Sequence, residues 1–124
     1  MRKRMREYGI TLGLLPPGPL NAITDVKGVK VGHVTLIYGE GKLIPGKGPV
    51  RTGVTAIVPH SGNIFKEKLI ASCFVGNGFG KSVGLVQIKE LGTLETPIVL
   101  TNTLSVGTVA DALVEYMLSF NDDI

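Results

Sequence analysis

The sequence has no tryptophan, one cysteine, two histidines and only 6% aromatic residues in 124. A lone thiol cannot form an internal disulfide, and Cys73 sits within the apolar run KLIASCFV, where a buried, inert side chain is expected. That usage fits a reducing compartment, and the chain is assigned to the cytoplasm. With two histidines far apart, no Cys pair and no i, i+4 partner, every metal-ligand spacing fails, and no metal or other cofactor is expected. No apolar run approaches the ~18 residues of a membrane-spanning helix. A secretory signal is not expected, because Glu7, two glycines and Pro16-Pro17 interrupt the apolar stretch after the basic head.

Charge of one sign is also missing from the body of the chain. The formal total is +3, but Arg2, Lys3, Arg4 and Arg6 precede the first acid, so the remainder carries −1. A nucleic-acid binder needs a basic stripe on its folded face, which is not present; neither nucleic acid nor membrane is expected as a partner.

What the chain has in quantity is glycine (17), proline (7) and short runs of Val, Ile and Thr. This mixture excludes a long-helix bundle and favours strands joined by tight turns. Residues 1–8 read as a flexible, solvated basic arm, and residues 13–20 (GLLPPGPL) as a lead-in that cannot be regular helix. After the turn at Lys27-Gly28, VKVGHVTLIY has apolar residues on both faces, as in a strand inside a layered structure. Residues 40–51 (EGKLIPGKGPVR) form a long loop, TGVTAIVPH a second strand and KLIASCFVGN a third. SVGLVQIKELG fits a short helix ended by Gly92 or a further strand, with the helix preferred, and TPIVLTNT is the fourth strand. Val106, Val109, Ala110, Leu113 and Met117 then mark an amphipathic helix with Ser105 or Thr103 as its N-cap. Asn121, Asp122 and Asp123 follow it without a glycine cap or a basic residue against the helix dipole. The expected fold class is α/β: one domain or N-terminal fragment over 1–124, with a mixed sheet of at least four strands and a C-terminal amphipathic helix.

Few of the chemical motifs survive inspection. Gly80-Lys81-Ser82 matches the end of a phosphate loop, but the required first glycine falls on Val75, and the dinucleotide fingerprint fails where Lys81 replaces its third glycine. A nucleophile elbow needs Gly-x-Ser-x-Gly, whereas Ser105 lies in TLSVG. Asp25 and Asp111 have no paired carboxylate at a useful spacing. The junction LTNTLSVG carries more: a strand ending in Asn102 and Thr103 just before a helix brings an amide, a hydroxyl and backbone N–H groups to one place. That arrangement suits an anion or a carbonyl oxygen, or simply satisfies the helix end.

Three strings, PPGPLNAITDVKGVKVGHVTL, GKGPVRTGVTAIVPH and NGFGKSVGLVQIKELGTLETPIVLTNTLSVGTVADAL, occur in this order. Together they resemble the N-terminal part of the D-aminopeptidase family, also called L-aminopeptidase/D-esterases, over residues 9–118. These are self-processing serine hydrolases related to N-terminal-nucleophile enzymes. The resemblance implies part of an αββα-type layered sandwich and a precursor that cuts itself before a serine. That serine, as a new N-terminus, attacks amide or ester bonds with its own amine as base. It also implies release of N-terminal amino acids from peptides, amides or esters, no metal, and oligomeric assembly. The nucleophilic serine, its supporting groups and the oxyanion-stabilising asparagine belong to a later part of family members, so no catalytic residue is assigned here; Asn121 in SFNDDI lacks the flanking pattern. The residues that match family segments are Asn77, in the Gly76-Asn77-Gly78 turn, together with Asn102 and Thr103; these are the candidates for lining or supporting a substrate pocket. The chain alone is expected to be inactive, and to associate with itself or with a complementing C-terminal segment. The competing expectation is a stand-alone oligomerising or ligand-binding module.

Overall fold

A computed structural model describes residues 3–122. Two nine-residue strands dominate it, β1 (Lys30–Tyr38) and β2 (Val50–Val58), paired antiparallel in continuous register from Lys30↔Val58 to Tyr38↔Val50. Val, Thr and Ile fill both, as the pleated geometry favours. Gly53 is required at its place: a Cβ there would run into the carbonyl oxygen of Val34 on the neighbouring strand. The Arg51 guanidinium braces the loop end of the hairpin, donating to the carbonyls of Tyr38 at 3.0 Å, Val50 at 2.6 Å and Gly39 at 2.9 Å.

After β2 the chain forms β3 (Leu69–Ile70), α1 (Leu85–Leu91), β4 (Thr93–Leu94), β5 (Ile98–Leu100) and α2 (Val106–Leu118). Strand β5 pairs antiparallel with β2 through Thr55↔Leu100 to Ile57↔Ile98, while β3 and β4 form a separate two-stranded ladder. Among the described residues the main sheet therefore has three strands, all antiparallel, and the expected mixed sheet of at least four is corrected. The cause lies in the third strand: KLIASCFVGN pairs over only two residues, with β4 rather than with the main sheet. The short helix is present, bracketed by Gly84 and Gly92, which turn it in and out with φ of +85° and +67°.

The lead-in before β1 is organised by Asp25, whose carboxylate accepts the backbone N–H of Leu20 at 2.9 Å and of Ala22 at 3.1 Å. Within the expected arm, Met5–Tyr8 form one 3₁₀ turn in which Glu7 accepts the Arg4 N–H. At the far end, Asn121 is 2% exposed. Its Nδ2 donates to the Met117 carbonyl at 2.9 Å, and its Oδ1 accepts from Asn63 Nδ2 at 2.7 Å, tying the end of α2 to the β2–β3 connection. Asp123, the last residue of the expected acidic tail, lies outside the described residues.

Packing between the layers is sparse. Among the described residues only Ile64, Pro97, Met117 and Asn121 are buried. The helix α2 faces the sheet across a gap of about 370 Å³ lined by Val54, Ala56 and Val99 on one side and Val109, Leu113 and Tyr116 on the other. Strand β1, expected to lie inside a layered structure, is exposed along most of its length. The accessible surface is 10245 Å², against about 6,400 Å² for a folded monomer of 13.1 kDa. Leu14, Ile70, Phe74, Phe79 and Leu104 are each more than 85% exposed. Two-sided apolar strands call for a second layer, and these residues do not supply it.

Candidate functional site

The strand-to-helix junction is the most highly organised polar feature. β5 ends at Leu100, and Thr101 continues its contact with β2 by donating its hydroxyl to the Gly53 carbonyl at 3.1 Å. Asn102 then folds back on its own turn. Its Oδ1 accepts the backbone N–H of Leu104 at 3.1 Å and of Ser105 at 3.2 Å, and its Nδ2 donates to Ser105 Oγ at 3.0 Å and Thr52 Oγ1 at 2.8 Å. Four bonds from one amide use all its donors and acceptors. Ser105 occupies the N-cap place of α2 but makes no side-chain cap bond, and Thr103 makes none either. Asn102 instead fixes the turn that leads into the helix: the expected N-cap position of Ser105 is met without its side-chain cap bond, and the amides that Asn102 accepts are those of Leu104 and Ser105, just before the first helical residue Val106. A short polar side chain two to three residues before the amides it accepts is an Asx turn; the sequence carried that signal in Asn-x-x-Ser.

Thr103 and Leu104 form the tip of this turn. Thr103 is exposed with no hydrogen-bond partner among the described residues, and Leu104 is 95% exposed. The third sequence candidate, Asn77, also builds an Asx turn: its Oδ1 accepts the Phe79 N–H at 2.9 Å, while Lys81 Nζ donates to the Phe79 carbonyl. Asn102 and Thr103 are neighbours in one turn, and no hydrogen bond among the described residues joins Asn77 to them.

Between the loops that carry these residues lies an apolar groove of about 580 Å³. Leu85 and Ile88 of α1, Leu94 of β4, Val99 of β5, and Val109 and Leu113 of α2 line it, with Lys81, Ser82 and Thr101 at its rim. Asn102 and Thr103 directly follow Thr101, and Asn77 lies one short glycine-rich turn before Lys81; none of the three lines the groove itself. Glu95 borders the same groove and is held below its ordinary carboxylate range by hydrogen bonds from Lys68 at 2.5 Å and Gln87 at 2.6 Å, against a smaller opposing effect of burial.

The remaining reactive side chains are engaged structurally. His33 Nδ1 lies 2.9 Å from Thr55 Oγ1, its cross-strand neighbour, but no carboxylate among the described residues orients the other ring nitrogen as a catalytic base would require. The Gly62 N–H donates to His60 Nδ1 at 3.0 Å, which leaves the proton on Nε2 to be donated to the Glu67 carbonyl at 3.0 Å. Cys73 is half-buried rather than enclosed, with Sγ 3.7 Å from the Leu85 carbonyl. Asp25 and Asn121 are committed to backbone and amide partners as described above. No group of three His, Cys, Asp or Glu side chains among the described residues converges as metal ligands would, and no helix among them is long and apolar enough to cross a membrane. The arrangement offers shaped turns and an apolar groove without an activated nucleophile beside them.

Comparison with known proteins places this geometry. The profile of peptidase family S58 matches residues 21–124. The β-peptidyl aminopeptidase BapA of Sphingosinicella microcystinivorans is 47% identical over 114 residues, covering 92% of this chain but 28% of that protein. Among solved structures, the PH0078 protein from Pyrococcus horikoshii OT3 matches with a TM-score of 0.91 and 66% identity, over 98% of this chain and 35% of that one. The L-aminopeptidase D-Ala-esterase/amidase from Ochrobactrum anthropi, described as a prototype for the serine aminopeptidases and a new variant among the Ntn hydrolase fold, matches with a TM-score of 0.77. Its identity is 37%, covering 95% of this chain and 32% of that structure. The chain spans between about a quarter and a third of the length of these relatives.

Proposed function

This chain belongs to peptidase family S58, and on that premise we propose that it is the N-terminal portion of an aminopeptidase-type serine hydrolase. The complete enzyme removes N-terminal residues from peptides, amides or esters. The observation that carries this reading is the 47% identity to a β-peptidyl aminopeptidase, confined to 28% of that protein's length. The surface supports it: about 3,900 Å² more is exposed than a finished monomer of this mass would leave, and much of it is apolar.

In this reading the chain's contribution is scaffolding and shape. Asn102 holds the β5–α2 turn rigid, Thr103 presents a free hydroxyl at its tip, and Asn77 sets the curvature of the glycine-rich loop facing it; these three support or border the substrate pocket. The nucleophilic serine belongs to the complementing C-terminal portion, so residues 1–124 alone are inactive. The working enzyme is a cytoplasmic oligomer that needs no metal. The test is hydrolysis of aminoacyl p-nitroanilides by the purified chain. Release at the level of buffer is expected, and turnover that co-purifies with the chain would overturn the assignment of the nucleophile elsewhere. In a full-length relative, alanine at the Asn102 position should lower turnover; lost stability with unchanged turnover would make the turn structural only.

A further inference from the structure

The segment following β3 has the properties of a strand without the partner that would complete one. From Leu69 to Phe74 burial alternates strictly, with Leu69, Ala71 and Cys73 half-buried and Ile70, Ser72 and Phe74 exposed. This is the period-two pattern of a strand with one face on a neighbour. Pairing with β4 covers only Leu69↔Leu94 and Ile70↔Thr93, followed by one bond from the Ala71 N–H to the Gly92 carbonyl at 2.8 Å. Among the described residues, no backbone group of residues 72–76 has a backbone partner. Since Ala71 turns its N–H toward β4, alternation turns those of Ser72 and Phe74 toward the opposite, vacant edge. On the outer face Ile70 is 98% and Phe74 94% exposed.

Strands that end a sheet in water are protected by charges, prolines or bulges. Residues 69–76, LIASCFVG, contain no charged residue and no proline. Resting on the functional reading above, we propose that residues 69–76 are an interior strand of the complete enzyme, whose Ser72–Phe74 edge is paired by an extended segment of the C-terminal portion. The size of the exposed surface selects this occupant over a second copy of the chain. A standard interface covers about 800 Å² of each partner, well short of the excess of about 3,900 Å². An enzyme of which this chain spans 28% has the remaining length to cover it.

The experiment is amide hydrogen exchange on the 124-residue chain, alone and co-expressed with the part of the Pyrococcus relative beyond the matched region, with β2 as internal reference. Amides of residues 72–75 should exchange as fast as open loop in the chain alone and slow at least ~100-fold in the complex. Ser72→Pro, which removes a donor on the vacant edge, should weaken association about tenfold or more. It should leave the melting of the free chain unchanged, while Ser72→Thr does neither. Association with peptide turnover but no slowing at 72–75 would refute the strand and leave the functional reading intact. Slowing without turnover would uphold the strand and refute that reading. A dimer of the chain alone that protects these amides, or no association with the complement at all, would refute the proposed occupant.

Discussion

Replacing Asn102 by alanine separates the turn at the head of α2 from the rest of the fold. The substitution removes an acceptor for two backbone N–H groups and a donor to both Thr52 and Ser105. Loss of the Asx turn, two bonds to exposed backbone N–H groups, costs about 0.5–1 kcal/mol, and the bond to Thr52, which pins the turn to β2, adds about 0.5–1 kcal/mol. The site is exposed, so water replaces part of what is lost, and a total of about 1–2 kcal/mol follows. With an unfolding entropy near 2.1 cal/mol/K per residue, a chain of 124 residues should lose about 4–8 °C in Tm. Thr103→Ala, one residue away and without a hydrogen-bond partner, should change Tm by less than about 2 °C. Thermal melts followed by circular dichroism measure both. The turn mechanism is refuted if Asn102→Ala melts with the wild type, or if Thr103→Ala is the more damaging of the two.

Other perturbations address packing and charge. Met117, 4% exposed on the inner face of α2, should cost about 2–5 kcal/mol when cut to alanine, seen as the largest Tm loss among the helix variants. Gly53→Ala forces a methyl against the Val34 carbonyl and should cost about 1–3 kcal/mol, with loss of amide protection along β1. The carboxyl of Glu95 is more acidic folded than its ordinary 4.5, chiefly through the Lys68 and Gln87 bonds. The stability it adds is therefore complete above that value and disappears as pH falls through the lowered folded value. An acid titration of Tm should show this loss, and Glu95→Gln should flatten it.

How much of this was legible in sequence varies by element. The apolar spacing from Val106 to Met117 gave α2, because a helix signals itself through contacts within its own turn. The β-branched runs of β1 and β2 gave the long hairpin for a similar local reason. The third strand was legible as a pattern from Leu69 to Phe74 but is only two residues long as a ladder, since a strand also needs a neighbour, which composition cannot supply. Hydrophobicity on both faces of β1 pointed to burial that these residues do not provide, and the same excess underlies the reading of an incomplete enzyme. At the strand-to-helix junction the sequence showed that Asn102 stands before a helix, whereas its action as an Asx acceptor over Leu104 and Ser105 depended on backbone angles. That Asn63 and Asn121 meet across 58 residues was not accessible without the fold.

The most direct test of the account is a single assay run two ways: hydrolysis of an aminoacyl p-nitroanilide by residues 1–124 alone and by the same chain co-expressed with the remaining portion of the Pyrococcus relative. The account predicts no release from the first and turnover from the second that tracks the amount of complex. Turnover by the chain alone, or a stable complex that never turns over, would contradict it.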